Sequence, residues 1–276
     1  MRRACVIGWP VEHSRSPLIH GYWIKKYKLN ADYRREAVSP ENFEEFVRHL
    51  AEHGYVGANV TIPNKEAARA LSKADVRAEK VGAANTLWLD DGGRLNASNT
   101  DAYGFITNLD AEIPDWNDGG RPAVVLGAGG AARAILHVLL AEGARRIFLA
   151  NRTSGRAEAL ASAFGPAVTV VDWRDRNRAL AGCGLLVNAT SLGMTGKDPL
   201  DLDLASLPPD AVVADIVYSP LETALLAAAC AKGNRTVDGL GMLLHQAVPG
   251  FERWFGVRPA VTPALRAHVA QSLGER

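Results

Sequence analysis

The sequence predicts an α/β protein of two domains, the second built on a doubly wound parallel sheet. Three observations predict it. Apolar runs of strand length alternate with helical patterns along the chain, as strand–helix–strand crossovers do. A glycine turn, Gly127-Ala128-Gly129-Gly130-Ala131-Ala132, stands between an aliphatic run and a helix pattern. A stretch rich in Asp, Gly, Pro and Asn at 110–122 separates that turn from a first unit upstream.

The elements follow in order. Residues 4–9 read as the first strand. Ser16-Pro17 opens a helix, with serine as N-cap and proline as first helical residue. Residues 33–38 read as a second strand, and Ser39-Pro40 opens a second helix by the same device. A third strand covers 55–60. Residues 85–89 and 94–97 flank Asp90-Asp91-Gly92-Gly93, a hairpin turn. Beyond the break, 124–126, 147–150, 185–187 and 212–216 read as strands, and 221–232 as a helix ended by Gly233. Amphipathic helix patterns cover 241–255 and the stretch after Pro263.

Composition narrows the function classes. The chain has 276 residues, 47% of them hydrophobic and 22% charged, as in globular proteins. A net charge of +1 gives no bulk electrostatic case for nucleic acid or a membrane surface. No apolar run nears the roughly 18 residues needed to span a bilayer, and the run after Met1-Arg2-Arg3 is too short for a signal peptide. A cytoplasmic protein is expected. Cys5, Cys183 and Cys230 are far apart and form no C-x-x-C pair, so reduced thiols are expected. His13 and His20 lack companions at ligand spacing, so no metal site is expected.

The glycine turn reads G-x-G-x-x-A, a dinucleotide pattern. Gly127 permits the tight turn. Gly129 has no Cβ, so backbone can approach a pyrophosphate, and Ala132 allows close helix–strand packing. Amides at the start of the helix then face the phosphates. An NAD site usually carries a carboxylate at the end of the second strand of such a unit. Here that place holds Asn151-Arg152-Thr153, with Arg156 close behind. A guanidinium grips a 2′-phosphate, so the expected cofactor is NADP in a Rossmann-type domain.

The first unit offers four polar segments at strand ends or helix starts. They are Glu12-His13-Ser14-Arg15-Ser16, Asn59-Val60-Thr61 through Lys65, Asn85-Thr86, and Asn99-Thr100-Asp101. Their hydroxyls, amides, ammonium and carboxylate suit a small polyhydroxylated acid. A nicotinamide enzyme moves hydride, and a proton must move separately. A lysine beside an aspartate can carry it.

These residues make the sequence recognisable. His13-Ser14-Arg15-Ser16-Pro17, 57–65, Gly82-Ala83-Ala84-Asn85-Thr86 and Asn99-Thr100-Asp101 resemble the shikimate dehydrogenase family. So do Asn151-Arg152-Thr153, Asn188-Ala189-Thr190-Ser191, Asp238-Gly239-Leu240-Gly241-Met242 and Gln246. The resemblance implies NADP-linked interconversion of 3-dehydroshikimate and shikimate, with Lys65 and Asp101 as the catalytic pair. It implies substrate binding by Ser14, Ser16, Asn59, Thr61, Lys65, Asn85, Asp101, Tyr218 and Gln246. Gly127, Ala128, Gly129, Gly130 and Ala131 would hold the pyrophosphate, and Asn151, Arg152, Thr153 and Arg156 the adenosine end. Thr190, Ile216, Gly239 and Met242 would complete the cofactor site. The family fold implies a substrate domain of 1–101 and 238–276 around an NADP domain of 102–237. The family commonly has phenylalanine before the lysine. Asn64 stands there instead, so wetter surroundings are expected for Lys65.

Two other functions fit parts of the pattern. A quinate or aminoshikimate dehydrogenase would share the lysine–aspartate pair, but its quinate-using members often take NAD with an acidic residue after the second strand. A sensor that binds NADP without chemistry would need neither the pair nor a second polar pocket. The protein is expected as a monomer or homodimer.

Overall fold

The computed structural model describes residues 1–117 and 120–274. The chain folds into two compact units. The first comprises Met1–Tyr103 and Leu244–Gln271, and the second is built on Gly104–Leu243.

The first unit runs β1 (Arg2–Gly8), α1 (Ser16–Lys26), β2 (Ala31–Ala37), α2 (Pro40–Arg48), β3 (Gly57–Val60), α3 (Lys65–Ala70), β4 (Lys73–Ala74), α4 (Val76–Val81), β5 (Thr86–Leu89) and β6 (Leu95–Ser98). Its sheet has the order β2-β1-β3-β5-β6-β4. β1 is parallel to both β2 and β3, while β5 is antiparallel to β3 and to β6. The sheet is therefore mixed. The Asp90–Gly93 turn explains this, because a tight turn can join only antiparallel strands. Asp90 Oδ1 accepts from the backbone N–H groups of Gly92 and Arg94, both at 3.0 Å, which fixes the turn.

The chain passes between the units inside helices. α5 (Asp101–Glu112) leaves the first unit, and α9 (Gly239–Phe255) returns to it, followed by α10 (Pro263–Gly274). α9 reaches the middle of the first sheet. Trp254 is 2% exposed, and its indole N–H donates to the Leu87 carbonyl at 2.9 Å. Gly57 makes room for it, since a Cβ there would lie 2.1 Å from Trp254 Nε1. Around Trp254 gather His20, Trp23, Tyr33 and Phe251, a ring cluster contributed by α1, β2 and α9. Truncating a buried aromatic of this size costs about 3–5 kcal/mol.

The second unit runs β7 (Ala123–Leu126), α6 (Gly130–Ala141), β8 (Ile147–Ala150), α7 (Ser154–Phe164), β9 (Val168–Val171), β10 (Leu185–Asn188), β11 (Val212–Asp215), α8 (Ala224–Ala231) and β12 (Arg235–Val237). Six parallel strands take the order β12-β11-β10-β7-β8-β9. This is the doubly wound arrangement, with strand order reversing between β7 and β10. The four inner strands are apolar and almost wholly buried on both faces, as parallel sheets require. Val124, Leu126, Leu186 and Val213 are fully buried among Leu180, Leu207, Leu225 and Leu226.

Local start signals differ from expectation in two places. Ser16 is the first residue of α1, with Arg15 as N-cap, and no side chain caps that helix. The helix expected from residue 221 starts at Ala224. Thr223 caps it, accepting from the Leu226 N–H at 3.3 Å. Pro220 and the bonded threonine hold the preceding residues out of the helix.

Candidate active site

β1 delivers the serine loop. Ser14 Oγ donates to Ser16 Oγ at 3.2 Å and accepts from the Ser16 backbone N–H at 3.3 Å. Arg35 on β2 donates twice to the Ser14 carbonyl, at 2.7 and 3.2 Å, and pins the loop. Nothing in the spacing of the sequence pointed to Arg35. Only strand register brings it there.

β3 delivers Asn59 and Thr61. Asn59 is 5% exposed, and both ends of its amide are engaged. Tyr33 Oη donates to its Oδ1 at 2.6 Å, and its Nδ2 donates to the Asn85 carbonyl at 3.2 Å and Thr86 Oγ1 at 3.3 Å. Asn59 thus braces β2, β3 and the start of β5 around the pocket. Thr61 is half-buried, and its hydroxyl makes no hydrogen bond among the described residues.

Lys65 opens α3 and Asp101 opens α5. Lys65 Nζ lies 2.5 Å from Asp101 Oδ2. The lysine side chain is 22% exposed and the aspartate side chain 8%. A carboxylate in the first turn of a helix is favoured by the helix dipole. Asn85 Nδ2 donates to Asp101 Oδ1 at 2.7 Å and to Gln246 Oε1 at 3.0 Å. Asn85 Oδ1 accepts from the Thr100 N–H at 2.8 Å and from the hydroxyls of Thr86 and Thr100, both at 3.1 Å. This one amide orients the aspartate and ties α9 to the hairpin. Asn64 is 4% exposed, and its Nδ2 has no hydrogen-bond partner among the described residues. The amide is thus dry, and solvent reaches the neighbouring lysine instead.

The carboxyl edge of the second sheet gathers the other candidates. Gly127 follows β7 with φ +108°, a conformation that favours glycine. A Cβ there would lie 2.9 Å from the Ala189 carbonyl. Gly129 and Gly130 are exposed at the start of α6, and a Cβ on Gly129 would meet nothing within 4 Å. The first amides of α6 have no partner in their own helix, so this corner fits a pyrophosphate. The Ala128 N–H donates to Asn151 Oδ1 at 3.2 Å, and Asn151 Nδ2 donates to the Thr153 carbonyl at 2.9 Å. Asn151 thus braces the glycine turn against the end of β8. Arg152 and Arg156 are exposed and carry no ion pair among the described residues. Two unpaired guanidinium groups fit a 2′-phosphate.

Thr190 stands after β10 and Ile216 after β11, both half-buried, as is Tyr218. Gly239 packs against Ile216, where a Cβ would lie 2.2 Å from the carbonyl oxygen. Met242 is 8% exposed on α9.

Comparison with known proteins places this arrangement. Residues 6–87 match the profile of the shikimate dehydrogenase substrate binding domain. Residues 114–194 match that of shikimate / quinate 5-dehydrogenase, and 239–267 that of the shikimate 5'-dehydrogenase C-terminal domain. The shikimate dehydrogenase (NADP(+)) of Rhodopseudomonas palustris strain TIE-1 is 59% identical over 275 residues, covering 100% of this chain and 98% of that protein. The chain belongs to the shikimate dehydrogenase family.

Solved structures of the shikimate dehydrogenase family share both sheets. Shikimate 5-dehydrogenase from Thermus thermophilus, solved with NADP(H) and shikimate, superposes with a TM-score of 0.86 at 34% identity, over 99% of this chain and 100% of that one. Quinate dehydrogenase from Corynebacterium glutamicum, solved with NAD, reaches 0.90 at 31% identity, over 98% of this chain and 99% of that one. Like its shikimate dehydrogenase relatives, the protein is an oxidoreductase.

Proposed function

We propose that the protein reduces 3-dehydroshikimate to shikimate with NADPH, reversibly, in the route to chorismate and the aromatic amino acids. The observation that carries this reading is the Lys65–Asp101 contact of 2.5 Å, at the centre of a hydrogen-bonded polar pocket. Both the NADP-named relatives and the unpaired Arg152 support NADP over NAD.

Lys65 gives a proton to the carbonyl oxygen during reduction and takes it back during oxidation. Asp101 keeps Nζ in place, and Asn85 keeps Asp101 in place. The hydroxyls of Ser14, Ser16 and Thr61, with the Gln246 amide, hold the carboxylate and ring hydroxyls of the substrate, and the family resemblance adds Tyr218 to the substrate-binding residues. Gly127, Ala128, Gly129, Gly130 and Ala131 hold the pyrophosphate, and Arg152, Thr153 and Arg156 the adenosine phosphate. Thr190, Ile216, Gly239 and Met242 receive the rest of the cofactor. When bound, the reduced nicotinamide supplies hydride to the carbonyl carbon.

The protein works in the cytoplasm as a monomer or homodimer. Among the described residues no helix is long and apolar enough to cross a membrane, and all three cysteines are free. Initial rates with shikimate and with quinate, each with NADP and with NAD, test the reading. The shikimate–NADP pair should give the highest kcat/KM. A preference for quinate with NAD would overturn it.

A further inference from the structure

Asp215 closes β11 and is 2% exposed. No cation pairs with it among the described residues. Three neutral donors surround it, each from a different segment. Asn188 Nδ2, at the end of β10, donates to Oδ1 at 2.9 Å. The Val217 N–H, in the loop after β11, donates to Oδ1 at 3.0 Å. Thr223 Oγ1, the cap of α8, donates to Oδ2 at 2.8 Å. Burial pushes this carboxyl up from the usual range, and the three donors oppose that shift.

The contacts continue outward. With its donor end held by the carboxylate, the Asn188 amide must turn its acceptor toward Thr190. Asn188 Oδ1 accepts from the Thr190 N–H at 3.1 Å and its hydroxyl at 2.7 Å, and Thr190 Oγ1 accepts from the Leu192 N–H at 3.0 Å. A second tie joins the same two loops, where the Thr195 N–H donates to the Ser219 carbonyl at 2.7 Å. One buried carboxylate thus sets the loops that leave β10 and β11.

A doubly wound sheet binds its dinucleotide across the carboxyl edge, one mononucleotide over each half. Arg152, after β8, places the 2′-phosphate over the half of β7, β8 and β9. The loops set by Asp215 belong to the other half. We infer that Asp215 is a positioning residue for the nicotinamide half of the cofactor, holding the loops after β10 and β11 in their receiving form. This rests on the reading of the second unit as the NADP site. The Asp215 carboxylate is buried and bonded only to Asn188, Val217 and Thr223 among the described residues, so its loss should separate the two halves of the cofactor.

Equilibrium binding to the full-length protein tests this, with NADPH and adenosine 2′,5′-bisphosphate as the two probes. The variants are Asp215→Asn, which keeps the shape, and Thr223→Val, which removes one donor with little change of volume. Each should weaken NADPH by about tenfold or more, because the receiving form of the loops falls to about a tenth of the population or less and the apparent affinity falls with it. The bisphosphate should bind within about twofold of wild type. Unchanged NADPH affinity in both variants, or an equal loss for both probes, would overturn the inference. A wild-type protein that bound neither probe would instead overturn the NADP reading, and this inference with it.

Discussion

Lys65 Nζ meets Asp101 Oδ2 at 2.5 Å, while the other oxygen of that carboxylate accepts from Asn85 at 2.7 Å. The lysine is thereby fixed by a carboxylate that is itself fixed. A general acid held in this way contributes roughly 10²- to 10⁴-fold to rate. Lys65→Ala should lower kcat by about that factor and change KM much less. Asp101→Asn should lower kcat as well, because the ammonium loses its anchor. Steady-state kinetics check both. Wild-type kcat in Lys65→Ala would remove the mechanism.

In the proposed function, the choice of cofactor falls to Arg152. A charge-assisted hydrogen bond contributes roughly 1.5–3 kcal/mol. Arg152→Ala should therefore weaken NADP binding by about 10- to 150-fold and leave NAD binding nearly unchanged. Titration with each cofactor decides it, and equal losses for both count against a 2′-phosphate contact.

Gln246 accepts from Asn85 at 3.0 Å, although the two lie far apart in the chain. Gln246→Ala should raise KM for shikimate with a smaller effect on kcat, since a polar site with one group missing binds its hydroxyls less well. Kinetics identical to wild type would show that α9 does not serve the pocket.

His20 makes stability depend on pH. It is fully buried, neither ring nitrogen makes a hydrogen bond of good geometry among the described residues, although Asn59 lies close enough to oppose the lowering of its pKa, and it stacks on Tyr33 at 4.0 Å. Burial lowers its pKa from 6.5 to about 3. The unfolded chain then binds a proton below pH 6.5 that the folded protein refuses until about pH 3. Stability falls as pH drops through that window, by about 1.4 kcal/mol per pH unit from this residue alone. Urea unfolding of wild type and His20→Phe should give diverging profiles between pH 6 and 4, with wild type steeper. Parallel profiles would place the acid sensitivity elsewhere.

The parts legible in the sequence were those with strong local chemistry. The strand at 147–150 has the bounds it was expected to have, and the glycine turn sits between β7 and α6 as its spacing required. Three of the four sheet edges were not read: β4, β9 and β12. β4 and β12 are short and carry charge outward, as Lys73 and Arg235 do, so they show no apolar run; β9 is Val168-Thr169-Val170-Val171, a β-branched run that is too short to stand out. The mixed order of the first sheet was also hidden, because alternation of strands and helices does not report strand direction. Lys65 and Asp101 were paired through resemblance, since no spacing rule joins residues this far apart. Asp215 leaves a sign in the sequence, a carboxylate ending an apolar strand, but belongs to no motif.

The indole of Trp254 on the Leu87 carbonyl has a consequence for biosynthesis. The first unit begins the chain but is incomplete until Leu244–Gln271 has been made. A ribosome adds about 5–20 residues per second, so the early strands wait on the order of ten seconds or longer for their last helix. Both sheet and helices of the second unit come from the one stretch Gly104–Leu243, so it can close before its upstream neighbour, inverting the usual order of domain folding. During that interval the groove beside Gly57 stands open with apolar rings at its margin, the kind of surface that chaperones hold. Translation arrest between the units would leave a nascent chain able to take up the cofactor and unable to hold its substrate.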